Sequence, residues 1–181
     1  MDKAKISEVF ESLKKELDIV NLGAVKYFLG YDIRLEEGVY TLRLKSYIEA
    51  LVKKYNLEDC KTSKTPMDVS YTKSVCYSKP FVDITLYRSL VGALLYISVY
   101  ARPDVAFSVS FLGRKSSKPT DQDWEAAKRV VRYLKGTTEL KLKFGPGDNG
   151  WNLIGYSDAD WAGDPTSRRS TTGSFYSVVD L

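Results

Sequence analysis

The sequence predicts an α+β fold, because two hydrophobic periodicities alternate along its 181 residues. Apolar residues spaced three and four positions apart predict amphipathic helices over 6–17, 46–55, 83–100, 105–112 and 121–135. Aromatic and β-branched runs predict strands over 25–35, 39–44, 140–144, 151–156 and 170–179. Short turn sequences between strands indicate that they pair antiparallel.

Local signals set the ends of these elements. Ser46, with Glu49 three residues later, predicts a capping box, and Thr120 predicts the N-cap of the last helix. Pro103 ends the long apolar helix, and Gly136 ends the last one. Residues 58–82 are rich in Lys, Ser, Thr and Pro, which predicts a long loop or extended strap and the most flexible segment.

Composition excludes several kinds of protein. The 44% hydrophobic and 13% aromatic content argues for a folded chain, and no apolar run reaches the roughly 18–20 residues of a membrane span. The N-terminus lacks the apolar core of a signal peptide, so we expect an intracellular protein with Cys60 and Cys76 as free thiols. The absence of histidine excludes Ser-His-Asp and Cys-His catalysis and His-containing zinc sites.

The net charge of +4 is unevenly distributed. Residues 61–144 carry 15 basic and 7 acidic side chains, net +8, whereas 1–60 and 145–181 are net −1 and −3. A basic middle portion fits a surface that contacts a polyanion. A solvated basic surface without a partner fits the charge equally well.

Two carboxylates follow the strand predicted over 151–156. Asp158 and Asp160 stand where a metal-dependent nuclease places its first magnesium ligand, and no further cluster of acids follows before Leu181. The pattern therefore predicts the beginning of an active site without its remainder.

Several strings together resemble the Pol polyprotein of copia-type LTR retrotransposons, across essentially the whole chain. Each string alone is a weak signal, but the occurrence of all of them in this order is specific for the family. They are Lys26-Tyr27-Phe28-Leu29-Gly30, Thr65-Pro66-Met67, Tyr87-Arg88-Ser89-Leu90-Val91-Gly92, Arg102-Pro103-Asp104, Tyr133-Leu134-Lys135-Gly136-Thr137 and Tyr156-Ser157-Asp158-Ala159-Asp160-Trp161.

The resemblance implies four segments and a parent enzyme that polymerises DNA on RNA and carries an RNase H. Residues 1–57 would be the end of the reverse transcriptase palm with a primer-grip-like hairpin, and 58–82 an extended strap. Residues 83–137 would be a helical thumb and connection, and 138–181 the first strands of a partial RNase H-like antiparallel sheet. The Tyr-Val-Asp-Asp polymerase motif is absent from the sequence, so we do not expect this chain alone to polymerise.

The resemblance also assigns roles to individual residues. Phe28-Leu29-Gly30-Tyr31 resembles part of the primer-grip hairpin, where backbone close to a glycine holds the primer terminus, and Gly30 permits that approach. An ordinary buried hairpin is the alternative. Arg88, Gly92 and Tyr96 share one side of the thumb helix that follows the minor groove of the template–primer duplex. A glycine in mid-helix costs about 1 kcal/mol, and tight helix–helix packing would explain it as well as nucleic acid does.

The remaining candidate residues are acidic or basic. Asp158 matches the first catalytic carboxylate of RNase H, a Mg²⁺ ligand in the parent family, with Asp160 as a weaker neighbour; the alternative is that Asp158 faces solvent. We expect no tightly bound Mg²⁺ here, because one or two carboxylates bind it weakly. Phosphate contacts are predicted for a basic set, although a charged helix side is often only solvated. The set is Arg114, Lys115, Lys118, Lys128, Arg129, Arg132 and Lys135.

Three functions follow from these expectations. The first is a truncated polymerase fragment that binds an RNA–DNA hybrid or duplex DNA without catalysis. The second is a protein-interaction module, either a homo-oligomer or a partner of the remaining polyprotein, which would use apolar surface left uncovered. The third is a gene fragment without a selected function.

Overall fold

The computed structural model of the chain describes residues 3–73, 78–145, 152–163 and 168–179. It confirms an α+β fold with two antiparallel sheets. The helices are α1 Lys3–Lys14, α2 Lys45–Lys54, α3 Val69–Lys73, α4 Ile84–Tyr100, α5 Ala106–Gly113 and α6 Asp121–Gly136. The strands are β1 Tyr27–Phe28, β2 Tyr31–Glu36, β3 Val39–Arg43, β4 Leu142–Phe144, β5 Asn152–Ala159 and β6 Thr172–Val179.

The strand predicted over 25–35 is in fact two strands. Leu29 and Gly30 both adopt positive φ, 47° and 81°, and form a tight turn between β1 and β2. Glu37 and Gly38 form a second turn of the same kind between β2 and β3. A pattern of hydrophobic residues does not reveal the first turn, because the residues on both sides of it are aromatic or aliphatic.

The first sheet has the order β1-β2-β3-β4. Residues 140–144 were predicted to belong with the C-terminal strands, but β4 pairs with β3 through Tyr40↔Phe144 and Leu42↔Leu142. The second sheet contains β5 and β6, paired from Asn152↔Val179 to Ala159↔Thr172. Pairing therefore carries β5 three residues beyond the predicted end at 156, so that Asp158 lies inside the strand.

The core lies between helices. α2, α4, α5 and α6 pack together, and the hydroxyl of the buried Tyr87 donates to the carbonyl of Leu112 at 2.9 Å. The buried apolar side chains of these helices include Ile48, Leu51, Val52, Leu90, Val91, Leu94, Ile97, Val109, Leu112, Ala127, Val130, Val131 and Leu134. The first sheet joins this bundle through contacts of β2 with α2.

The two capping predictions have different outcomes. Thr120 and Asp123 form a capping box at α6, as expected for Thr120. The box predicted for Ser46 and Glu49 is wrong, because the N-cap of α2 is Leu44. The Ser46 hydroxyl instead donates to Asp32 at 3.3 Å, so a carboxylate from β2 serves the first turn of α2.

Residues 58–82 contain the short helix α3 and otherwise lack regular structure where they are described. They contact α6 at several points, of which three lie along its length. The Ser63 amide donates to the Arg132 carbonyl at 3.3 Å, the Tyr71 hydroxyl bonds to Asp123, and Phe81 stacks on Trp124 with ring centroids 4.9 Å apart. From here on, the strap means residues 58–73, the first part of the predicted strap, which the structure describes without a gap. Cys60 is a free thiol, and Cys76 lies outside the described residues.

A buried guanidinium connects α4, α5 and α6. Arg102 is 2% exposed and lies at the bend between α4 and α5. Its Nε and Nη2 donate to both carboxylate oxygens of Asp104 at 2.9 and 2.7 Å, and its Nη1 donates to the carbonyl of Thr137 at 2.9 Å. Tyr133 donates its hydroxyl to the same carboxylate at 2.8 Å. The network fixes the end of α6 against the bend.

Replacing this guanidinium should destabilise the fold strongly. We expect Arg102→Ala to lower the free energy of unfolding by about 3–5 kcal/mol, because it leaves the partly buried Asp104 without its charged partner. Urea denaturation followed by circular dichroism measures this, with Arg34→Ala on the exposed side of β2 as the control. A loss below about 1 kcal/mol would contradict the importance of the network.

The same network should make stability depend on pH. Burial raises the pKa of Asp104, but hydrogen bonds from Arg102 and Tyr133 outweigh it and hold the pKa below its usual value. Because the folded-state pKa is below the unfolded one, this contribution is present above the unfolded value of about 3.9 and is lost as pH falls through the folded pKa. The difference between the urea midpoints of the wild type and Asp104→Asn should therefore stay constant from pH 7 to about pH 5 and shrink as the pH falls below about 3.9. A difference that stays constant down to the lowest pH measured would show that Asp104 does not titrate in this way.

Candidate nucleic-acid interface

The hairpin turn and the long helix meet at the end of α4. The Tyr96 hydroxyl donates to the carbonyl of Leu29, and a Cβ added at Gly30 would lie 3.0 Å from that hydroxyl oxygen. Position 30 therefore requires glycine for two reasons: its φ is 81°, and the Tyr96 hydroxyl occupies the space of a side chain. Sequence analysis named Leu29, Gly30 and Tyr96 on separate elements, and the structure brings them together.

Three further tyrosines surround this contact. Tyr47 of α2 and Tyr100 of α4 lie with ring centroids 5.0 and 4.7 Å from that of Tyr96, and Tyr31 donates its hydroxyl to the Tyr100 carbonyl at 2.9 Å. Burial raises the pKa of Tyr31 and of Tyr47, so both hydroxyls stay neutral at physiological pH. Tyr47 and Tyr100 were not among the predicted site residues, although the four-residue spacing of Tyr96 and Tyr100 was a usable signal.

Gly92 lies one turn before Tyr96 and is exposed. A Cβ added there would meet nothing within 4 Å. Tight packing against another helix, one of the two explanations for this glycine, therefore does not apply within the described part of the chain. The other explanation, close approach of a molecule from outside, stays a prediction.

A basic group lies beside the first half of α4. Arg88 donates from Nε to the carbonyl of Ser116 at 2.8 Å, which holds the loop after α5 against α4. This partner is a neutral backbone carbonyl and not a carboxylate. The same loop begins with Arg114 and Lys115, whose cationic groups lie 4.9 and 5.8 Å from the ring centroid of Phe111.

Arg88 and Tyr96 are separated by about 12 Å along the helix axis. We call the exposed side of α4 from Arg88 to Tyr96, with this loop and the Leu29–Gly30 turn, the α4 surface.

Two of the three basic residues predicted on α6, Lys128 and Lys135, have partners within the chain. Lys128 forms an ion pair with Glu125 at 2.6 Å. The Lys135 ammonium donates to the carbonyl of Leu57 and to those of Glu58 and Cys60 in the strap. Arg132 has a buried Nε without a hydrogen-bond partner among the described residues. These three residues are therefore not part of the α4 surface, and their contact with phosphate stays a prediction.

The acidic pair lies on the second sheet. Asp158 is exposed on β5 opposite Gly173, and the Asp160 carboxylate accepts a hydrogen bond from the Thr171 amide. Among the described residues, no three acidic or cysteine side chains gather as a metal ion would require. Two-ion phosphoryl transfer needs several fixed carboxylates, and these two do not fit it. No catalytic step through Mg²⁺ follows from this geometry.

Known proteins are similar in sequence to this chain over most of its length. The family described as reverse transcriptase (RNA-dependent DNA polymerase) matches residues 1–69. The Pol polyprotein of transposon TNT 1-94 from Nicotiana tabacum is 36% identical over 97% of this chain, and that of transposon RE2 from Arabidopsis thaliana is 34% identical over 95%. The chain belongs to the Pol polyprotein family of copia-type retrotransposons.

The chain spans only 14% of the tobacco polyprotein and 12% of the RE2 polyprotein. An uncharacterized mitochondrial protein of Arabidopsis thaliana has a more similar length, being 35% identical over 89% of this chain and 66% of its own. No solved structure is significantly similar. Within the described part of the chain, no helix combines the length and apolar content needed to cross a membrane.

The exposed glycine of this Pol chain gives a direct stability test. Gly92→Ala should raise the free energy of unfolding by up to about 1 kcal/mol, because alanine favours the helix and meets no neighbour. Gly30→Ala is the matched comparison and should destabilise, since its φ is positive and Tyr96 occupies the space. Urea midpoints of both variants measure this. Destabilisation by Gly92→Ala would restore the helix-packing explanation.

Proposed function

We propose that this chain binds template–primer duplex or RNA–DNA hybrid along the α4 surface, without polymerising or cleaving it. The observation that carries the proposal is the contact of Tyr96 with the Leu29–Gly30 turn, one helical turn from the open surface at Gly92. The family resemblance assigns the turn to the primer grip and the helix to the minor groove. Their contact supports a single surface for both roles.

The chemistry of the α4 surface fits a duplex rather than a specific base sequence. Arg88, Arg114 and Lys115 would contact phosphates, which position a protein without reading sequence. Gly92 would let the helix backbone approach the groove, and Tyr96 would lie against the sugar edge. With about three phosphate contacts, log K should fall with log salt at a slope of roughly −2.7 for a B-form duplex.

The decisive experiment separates binding from folding. Gly92→Leu adds bulk on an open surface and should leave stability equal or higher, yet it should weaken binding to a labelled RNA–DNA hybrid at least tenfold, about 1.4 kcal/mol. Arg88→Gln should reduce the salt slope by about 0.9, whereas Lys143→Gln on β4, a control with the same charge change, should leave affinity and slope nearly unchanged. Fluorescence anisotropy at several salt concentrations measures both quantities.

Two outcomes would contradict the proposal. Unchanged affinity of Gly92→Leu would remove the α4 surface from binding. Cleaved RNA on a denaturing gel with Mg²⁺ present, lost in Asp158→Asn, would show that the chain is a nuclease after all.

A second function, self-association, is favoured by the uncovered apolar surface. Leu35, Tyr40 and Phe144 are neighbours across three strands and are 58%, 48% and 53% exposed. The helix α1 likewise exposes Ile6 and Val9 of its apolar stripe. Patches of this kind commonly mark protein interfaces.

Analytical ultracentrifugation distinguishes this second function from the first. A dimer that forms with rising concentration and is abolished by Leu35→Glu with Phe144→Glu, in a chain without affinity for the hybrid, would favour self-association. A monomer throughout the concentration series would exclude it.

A further inference from the structure

One dipeptide in the strap is unique in the chain. Of the six prolines, only Pro66 follows a serine or threonine, namely Thr65. Proline-directed kinases act on this dipeptide, so the chain offers them one acceptor. Thr65 is exposed and lies in the irregular stretch between α2 and α3. Because a kinase binds its acceptor segment in an extended form, an exposed segment outside helices and strands is the kind of substrate it requires.

A guanidinium already lies at the Thr65 hydroxyl. Arg129 of α6 donates from Nη2 to Thr65 Oγ1 at 3.0 Å, and its Nη1 lies 3.4 Å from a carboxylate oxygen of Asp68. The Arg129 Nε is buried and has no hydrogen-bond partner among the described residues. The arginine is therefore bound to a neutral hydroxyl and to one long, partly exposed ion pair, and it retains unused capacity to donate.

We propose that Thr65 is a phosphorylation site for a proline-directed kinase and that Arg129 holds the added phosphate. The Thr65 hydroxyl oxygen would form a bond to the γ-phosphorus of ATP while the bond from that phosphorus to the β–γ bridging oxygen breaks. ADP leaves, and the hydroxyl proton passes to a base of the kinase. No oxidation or reduction occurs.

The added phosphate should fasten the strap to α6. A phosphothreonine carries close to two negative charges near neutral pH and matches the guanidinium in a two-pronged pair, which the Asp68 contact at 3.4 Å does not achieve. Asp68 would be repelled, but its side chain is 51% exposed and can turn towards water. The strap backbone already bonds to α6 nearby, through the Ser63 amide and the Arg132 carbonyl, so little reorganisation is needed.

The test begins with the full chain, a recombinant proline-directed serine/threonine kinase and Mg²⁺–ATP. Mass spectrometry should find one phosphate, on Thr65, absent in Thr65→Ala, regained in Thr65→Ser and unaffected by Thr62→Ala, an exposed strap threonine that no proline follows. Phosphate on another residue, or on the urea-unfolded chain but not on the folded one, would overturn the site.

A second measurement tests the role of Arg129. Phosphorus NMR titration of the phosphorylated chain should give a second phosphate pKa several tenths of a unit below that of phosphorylated Arg129→Gln, because the guanidinium favours the dianion. Asp68→Asn, which removes the competing carboxylate, should lower this pKa further and keeps the test informative if Arg129→Gln unfolds. Equal phosphate pKa values in the wild type and both variants would overturn the pairing.

Discussion

The fold depends on one buried positive charge. Arg102 can be buried because its guanidinium donates hydrogen bonds to the Asp104 carboxylate and to the carbonyl and hydroxyl of Thr137. These partners come from the α4–α5 bend and from the end of α6, so satisfying the charge fixes the relative position of those helices. Two strings that resembled the family separately, Arg102-Pro103-Asp104 and 133–137, are therefore halves of one structural network. Neither is part of the candidate interface.

Once the bundle is fixed, the two sides of α4 have different roles. Its buried side, with Leu90, Leu94 and Ile97, packs into the core. The other side ends at Tyr96, whose single hydroxyl restrains the turn between β1 and β2. The turn cannot shift without losing this hydrogen bond, and glycine at position 30 allows the close approach. Rigid placement of a turn against a helix is what a duplex-binding surface requires, since phosphate spacing is fixed.

Several apolar side chains outside the helical core are exposed to solvent. The outer side of the first sheet, the α1 stripe and side chains of the second sheet such as Leu153, Phe175 and Tyr176 all face solvent. The Pol polyproteins that this chain matches are several times longer than its 181 residues. The proposed nucleic-acid binding would use the α4 surface and leave these patches open, so the two proposed functions involve different faces.

The sequence by itself determined the α+β class, most helices, the β2–β3 turn and the family, because periodicity, caps and turn residues act over a few neighbouring positions. It also named Leu29, Gly30, Arg88, Gly92 and Tyr96. Tertiary structure decided which of these residues meet. In the folded chain, Tyr96 bonds to Leu29 and β4 pairs with β3. Asp32, and not Glu49, bonds to the start of α2, and Lys135 donates to carbonyls of the strap. Such contacts join residues far apart in sequence and depend on how the helices pack, so no local pattern encodes them.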